Sequence, residues 1–135
     1  MEIEESKKPK ILIVEDDYEN QRFLQLFLGK KFMIFTCDSE NDFYKYLHSN
    51  SIDLILMDIS LRGNKDGLQL TKEIKSNPKF KNIPVVCLTA HAFPQDKENA
   101  LNAGVDIFLT KPVSNNFLMD SLVEMIKNIK KKKNA

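Results

Sequence analysis

The reactive side chains of this chain gather at the ends of short apolar runs. Glu15 and Asp16 follow Lys10 to Val14 (KILIV), Asp58 ends Leu54-Ile55-Leu56-Met57, Thr89 ends Pro84 to Thr89 (PVVCLT), and Lys111 follows Val105 to Thr110 (VDIFLT). An apolar run this short, bounded by turn residues, reads as a strand buried on both faces. Parallel strands share one carboxyl edge, which is where open α/β sheets place their chemistry. Three carboxylates, a hydroxyl and an ammonium would then converge. Carboxylates so gathered repel one another unless a cation intervenes. A hard divalent ion answers the need, Mg²⁺ or alternatively Mn²⁺, because Mg²⁺ takes one or two carboxylates and keeps several waters. Zinc is not expected, since neither His48 nor His91 lies at a ligand spacing.

A cation held by carboxylates beside an ammonium and a hydroxyl is suited to phosphoryl oxygens, whose transfer is catalysed mainly by positioning and charge neutralisation. The nucleophile would be a carboxylate, giving an aspartyl phosphate. Asp58 is the candidate because it stands alone at a central strand end, whereas Glu15 and Asp16 form a pair suited to the ion. Lys111 would balance the anion as a point charge, and the Thr89 hydroxyl would donate to a phosphoryl oxygen. Each residue also has a purely structural reading. An acid pair after a strand caps a helix, Asp58 can cap the segment after it, a threonine favours strands, and a lysine before proline is solvated. The chemical reading is favoured because the pieces recur, in this order, at four of five strand ends.

The intervening segments read as the elements that position these groups. Phe23, Leu24, Phe27 and Leu28 recur at helical spacing after Asp17, an N-cap, and before Gly29, a stop. Phe32 to Cys37 is a strand, and Ser39 caps a helix with a stripe of Phe43, Tyr46 and Leu47 ending near Asn50. Ile52 to Asp58 is the central strand. Asp66-Gly67 opens a helix carrying Leu68, Thr71 and Ile74, closed by Asn77-Pro78. Pro94 to Ala103 is a small-residue helix closed by Gly104. Ser114 caps a last helix whose stripe is Phe117, Leu118, Leu122, Met125, Ile126 and Ile129. Five strands alternating with five helices imply right-handed crossovers and a parallel sheet between helical layers.

Composition sets the outer bounds. The 135 residues form one domain: 1–9 a polar arm, 10–130 the folded unit, 131–135 a Lys-rich tail. A formal net charge of +1 gives no global field for nucleic acid, so no direct DNA binding is expected. No apolar run approaches the roughly 20 residues of a membrane span, and the amino terminus lacks a signal-peptide core, so no membrane partner and a cytoplasmic location are expected. Cys37 and Cys87 lie in apolar segments and read as buried free thiols.

Over roughly residues 9 to 130 the chain resembles the receiver domain of two-component response regulators. The matching motifs are Ile11-Leu12-Ile13-Val14-Glu15-Asp16-Asp17, Leu56-Met57-Asp58, Asp66-Gly67, Leu88-Thr89-Ala90 and Leu109-Thr110-Lys111-Pro112. The resemblance implies a flavodoxin-like receiver fold: α/β, a five-stranded parallel sheet of order 2-1-3-4-5 with helices on both faces. It implies Asp58 as phosphoacceptor, charged by a histidine kinase or a histidine phosphotransfer protein. It further implies Glu15, Asp16, Asp58 and the backbone carbonyl of Ser60 as Mg²⁺ ligands, and Thr89 with Lys111 as the pair that senses the phosphoryl group. Phe108 takes the switch aromatic position, Pro112 follows a cis bond, and Ser60 and His91 stand where relatives tune phosphoryl lifetime. The activity implied is Mg²⁺-dependent self-phosphorylation and slow self-dephosphorylation, with no other enzymatic function. The face of the fourth helix, fifth strand and fifth helix is implied to meet an unknown downstream protein.

Two departures stand out. Leu61-Arg62 replaces the common Met-Pro, with one extra residue before Asp66-Gly67, and the acid pair is Glu-Asp rather than Asp-Asp. An aspartate-nucleophile phosphohydrolase would want a second Asp two residues after the nucleophile, where this chain has Ser60. A flavodoxin-like cofactor binder would want a Gly- and hydroxyl-rich loop after the first strand, where this chain has acids. The chain reads either as a stand-alone regulator or as a receiver module from a hybrid histidine kinase or multidomain regulator.

Overall fold

The computed structural model describes residues 7–58, 67–90 and 93–133. Five strands and five helices alternate: β1 (Lys10–Val14), α1 (Tyr18–Leu28), β2 (Met33–Cys37), α2 (Glu40–Ser49), β3 (Leu54–Asp58), α3 (Gly67–Lys75), β4 (Val85–Thr89), α4 (Pro94–Ala103), β5 (Ile107–Thr110) and α5 (Asn115–Lys133). All pairings are parallel and the order is β2-β1-β3-β4-β5, as the family resemblance implied.

The strands explain their own burial. Every residue of β3 and β4 is buried, as are the last four of β1, which suits runs of Leu, Ile, Val and Met covered by helices on both faces. Side chains alternate between the two layers. Ile11, Ile13, Leu54, Leu56, Val86 and Leu88 meet Leu24 and Leu28 of α1 and Leu118, Leu122 and Ile126 of α5. Leu12, Val14, Ile55, Met57, Val85 and Cys87 meet Phe43 and Leu47 of α2, Leu70 and Ile74 of α3, and Ala100 of α4. The small residues Ala100 and Ala103 are the buried face of α4. Cys37 and Cys87 are free and buried, and burial pushes both thiols up to about 12.

Local signals set the helix ends. Asp17 Oδ1 accepts from the Glu19 N–H at 3.1 Å, Ser39 Oγ from Asp42 N–H at 3.2 Å, and Ser114 Oγ from Phe117 N–H at 3.1 Å. Gly104 ends α4 in the left-handed region, with φ 107°, and its N–H donates back into the helix. Gly29 also ends α1, but in right-handed backbone.

Several boundaries differ from those read in the sequence. β3 begins at Leu54 rather than Ile52, and β5 at Ile107 rather than Val105. Asp53 and Asp106 lie just before these starts and turn their side chains to backbone instead. Asp53 Oδ2 accepts from Lys10 N–H at 2.8 Å, and Asp106 Oδ2 from Val85 N–H at 2.7 Å. α5 runs on to Lys133, into the segment read as a tail, because lysine is a good helix former. Just before β1, Pro9 O accepts from Met33 N–H at 2.8 Å. Phe23 and Phe117, read as inward stripe residues, are 47% and 54% exposed.

Candidate functional site

Register brings the reactive residues together. Val14 pairs with Met57, so Glu15 and Asp58 follow side by side at the carboxyl edge of β1 and β3. Asp58 pairs with Leu88 of β4, one residue before Thr89, and Thr89 pairs with Thr110 of β5, one before Lys111. Two backbone bonds extend the ladder past the strand ends: Glu15 N–H to Cys37 O at 3.0 Å and Lys111 N–H to Thr89 O at 2.8 Å. Glu15, Asp58 and Thr89 are the polar residues buried at this edge, each no more than 3% exposed.

The buried Asp58 carboxylate is held by an ion pair, with Lys111 Nζ 2.5 Å from Oδ2. The ammonium end is partly open to solvent, 29% exposed against 4% for the carboxylate. At Glu15, Oε1 accepts from Asp17 N–H at 3.1 Å, while Oε2 is buried and accepts no hydrogen bond among the described residues. The Gln21 side-chain amide donates to the Glu15 carbonyl and ties α1 to the end of β1. Burial, and then the Asp58 carboxylate beside it, push the Glu15 carboxyl up to about 8. One ammonium therefore balances one of two buried carboxyls, and ionising the second leaves an uncompensated charge.

That imbalance tests the site for a metal. The donors present are hard oxygens, one of them buried without a partner, and Mg²⁺ takes one or two carboxylates with waters completing its octahedron. The residues fit. Among the described residues no three His, Cys, Asp or Glu side chains are gathered closely enough to hold an ion by themselves. Glu15 and Asp58 are the buried pair. Asp16, one residue further along, is exposed on the rim of an open cavity of about 530 Å³ that Glu15, Glu19, Asn20, Phe23 and Lys111 also line. Both acids lie past the end of β1, where Glu15 is buried and Asp16 exposed.

Phe108 is half-buried in β5 opposite Cys87, and by two-residue alternation it lies on the same sheet face as Thr89. The Lys111–Pro112 peptide bond is cis. Ser60 and His91 lie outside the described residues. Sequence reading did not anticipate that Asn20 and Phe23 line the cavity. The signal was present, because residues 20 and 23 stand on one side of α1 in its first two turns.

Comparison with known proteins agrees with this geometry. The response regulator receiver domain family matches residues 11–123, and the chain belongs to that family. It is thus a phosphoacceptor module of two-component signal transduction, one that is phosphorylated on aspartate and switches its partner binding. Hybrid signal transduction histidine kinase I of Dictyostelium discoideum is 36% identical over 120 residues, which cover 82% of this chain and 7% of that protein. Sensor histidine kinase RcsC of Salmonella typhimurium is 33% identical over 124 residues, covering 90% of this chain and 13% of that protein. The chain thus spans a small part of these relatives. Among solved structures, the receiver domain of a sensor histidine kinase from Pseudomonas aeruginosa is 30% identical with a TM-score of 0.76, covering 89% of this chain and 98% of that one; it carries magnesium in its active-site cleft. A two-component response regulator from Clostridium difficile is 29% identical with a TM-score of 0.82, covering 90% and 98%. Among the described residues no helix is long and apolar enough to cross a membrane.

Proposed function

We propose that Asp58 is the phosphoacceptor of this receiver. The observation that carries the reading is the buried Asp58 carboxylate, paired with Lys111 on one side and set beside the unpartnered Glu15 Oε2 on the other. An Asp58 oxygen attacks the phosphorus of a phosphohistidine on a histidine kinase or phosphotransfer protein. The P–O bond forms as the P–N bond breaks, and the leaving imidazole nitrogen keeps the electron pair. Lys111 moves from the carboxylate to the new phosphoryl oxygens, and the Thr89 hydroxyl donates to another. Glu15 and Asp58, with Asp16 from the rim and the Ser60 carbonyl, would hold Mg²⁺, with Mn²⁺ able to substitute. When bound, the ion neutralises charge on the transferring group.

Drawing Thr89 toward the phosphoryl group opens space on the face it shares with Phe108, and the Phe108 ring moves inward. With no hydroxyl on that ring, the switch is steric and apolar. The face that changes is α4-β5-α5, where Phe93, the residue before α4, and Leu101 of α4 already stand 74% and 47% exposed. Ser60 and His91 tune how long the phosphoryl group lasts, and its loss by slow self-hydrolysis is the remaining activity. Since the similar proteins include a hybrid signal transduction histidine kinase of which this chain covers 7%, and a sensor histidine kinase of which it covers 13%, a place in a hybrid-kinase phosphorelay is the second reading. Transfer from a kinase's own histidine and from a separate phosphotransfer protein, compared by rate, separates the two.

Incubation with acetyl phosphate and Mg²⁺ tests the core reading. Intact mass should rise by one phosphoryl group in the wild type and not in Asp58→Asn. An adduct that survives in the variant, or none in the wild type, refutes the assignment.

A further inference from the structure

The opposite, amino edge of the sheet carries a second cavity, of about 830 Å³, which the phosphoryl chemistry does not use. Its rim is lysine: Lys7 and Lys8 before β1, Lys30 and Lys31 between α1 and β2, and Lys127 and Lys130 on the last turns of α5. The other lining residues are Pro9, Phe32, Val123 and Ile126, so among the described residues no acid lines the recess. Lys8 Nζ donates to Gly29 O at 3.2 Å, and Lys30 lies over the Phe27 ring at 5.4 Å. Among the described residues Lys7, Lys31, Lys127 and Lys130 form no ion pair. This concentration stands in a chain whose formal net charge is only +1.

Helix dipoles account for part of it. Lysines 30 and 31 follow the end of α1, and 127 and 130 approach the end of α5, where cations are favoured. The dipole does not account for an apolar floor inside the ring, nor for two helix ends and the segment before β1 facing one recess.

We propose that this recess docks an acidic peptide segment of a partner protein, with an aliphatic side chain on the floor and flanking carboxylates on the rim lysines. Charge complementarity selects the sign. The floor selects the class: a flat anionic bilayer would meet the rim and leave the floor uncovered. A single-stranded nucleic acid would find no exposed ring for base stacking, since Phe32 is only 4% exposed. Because the recess lies at the edge away from Asp58, the partner stays bound whether or not Asp58 is phosphorylated. The receiver is thereby tethered, and its signalling edge is left open.

The test uses the whole ¹⁵N-labelled chain and a capped hexapeptide of alternating glutamate pairs and leucines, with its glutamine counterpart as control. Amide shifts should concentrate around residues 30–32 and 123–130, with affinity roughly tenfold weaker at high salt, as screening requires. Lys31→Glu with Lys127→Glu and Lys130→Glu should weaken binding at least about tenfold, and Val123→Asn should weaken it while leaving the charges intact. All variants should still form the acetyl phosphate adduct. Equal binding of the glutamine peptide, or shifts centred elsewhere, would overturn the proposal. So would tighter binding of phosphatidylserine vesicles or polyphosphate with indifference to Val123→Asn. Peptide binding only after removal of residues 1–6 would also overturn it, by assigning the recess to this chain's own acidic start.

Discussion

Glu15 keeps its proton to about pH 8 in the folded chain and gives it up near 4.5 when unfolded. Between those values the folded state binds the extra proton, so stability of the metal-free protein falls as pH rises from 4.5 to 8 and levels off above. Melting in chelator across that range should show the decline, and Glu15→Gln should flatten it; an unchanged slope in the variant would show that another group carries it. A divalent ion must displace the same proton, so Mg²⁺ should bind more tightly, and raise the melting temperature more, at pH 8 than at pH 6. Titration calorimetry in buffers of different ionisation enthalpy reads the released proton directly. The identities at this edge were legible because an acid or hydroxyl ending an apolar run conflicts with burial unless it has a task. The unequal burial of Glu15 and Asp16 was not legible, since both lie in the turn past β1, where strand periodicity does not apply.

The caps at Asp17, Ser39 and Ser114, the stop at Gly104 and the apolar runs of the strands were readable because each is a local device. Strand starts were misjudged where an aspartate, Asp53 or Asp106, bonds to a neighbouring strand's backbone, a pairing that depends on residues far away in sequence. Phe23 and Phe117 were misread because periodicity marks an apolar side without saying whether core or solvent covers it. Gly104 joins α4 to α3 closely: a Cβ there would stand 2.7 Å from Lys75 Cγ, in backbone at φ 107°. Lys75 is not free to move, as its ammonium donates to Ile83 O at 2.8 Å and pairs with Asp106 at 3.0 Å. Gly104→Ala should therefore cost about 1–3 kcal/mol in denaturant unfolding. Lys75→Ala in the same background should recover part of the loss, whereas simple additivity would mean that the contact does not matter.

Two apolar layers share one sheet, so neither can be lost alone. Leu56 faces α1 and α5, and Met57 faces α2, α3 and α4. Truncating either to alanine should cost about 2–5 kcal/mol. Each variant should still unfold in a single transition, with fluorescence and circular dichroism coinciding. Two separated transitions in either variant would show that the layers are independent.

β3 is paired on both sides and buried along its whole length, and Asp58 is its last residue. Its amides should exchange with deuterium only when the whole molecule opens. A chemical change at Asp58 therefore cannot be relieved by sliding or bending its own strand, which acts as a fixed abutment. The displacement passes sideways, to side chains on β4 and β5, the latter a strand of four half-exposed or exposed residues at the sheet margin. Deuterium uptake after phosphorylation should stay unchanged over residues 54–57 and alter over residues 94–110. Stiffness at one strand and compliance at its second neighbour give the molecule a preferred direction of recoil.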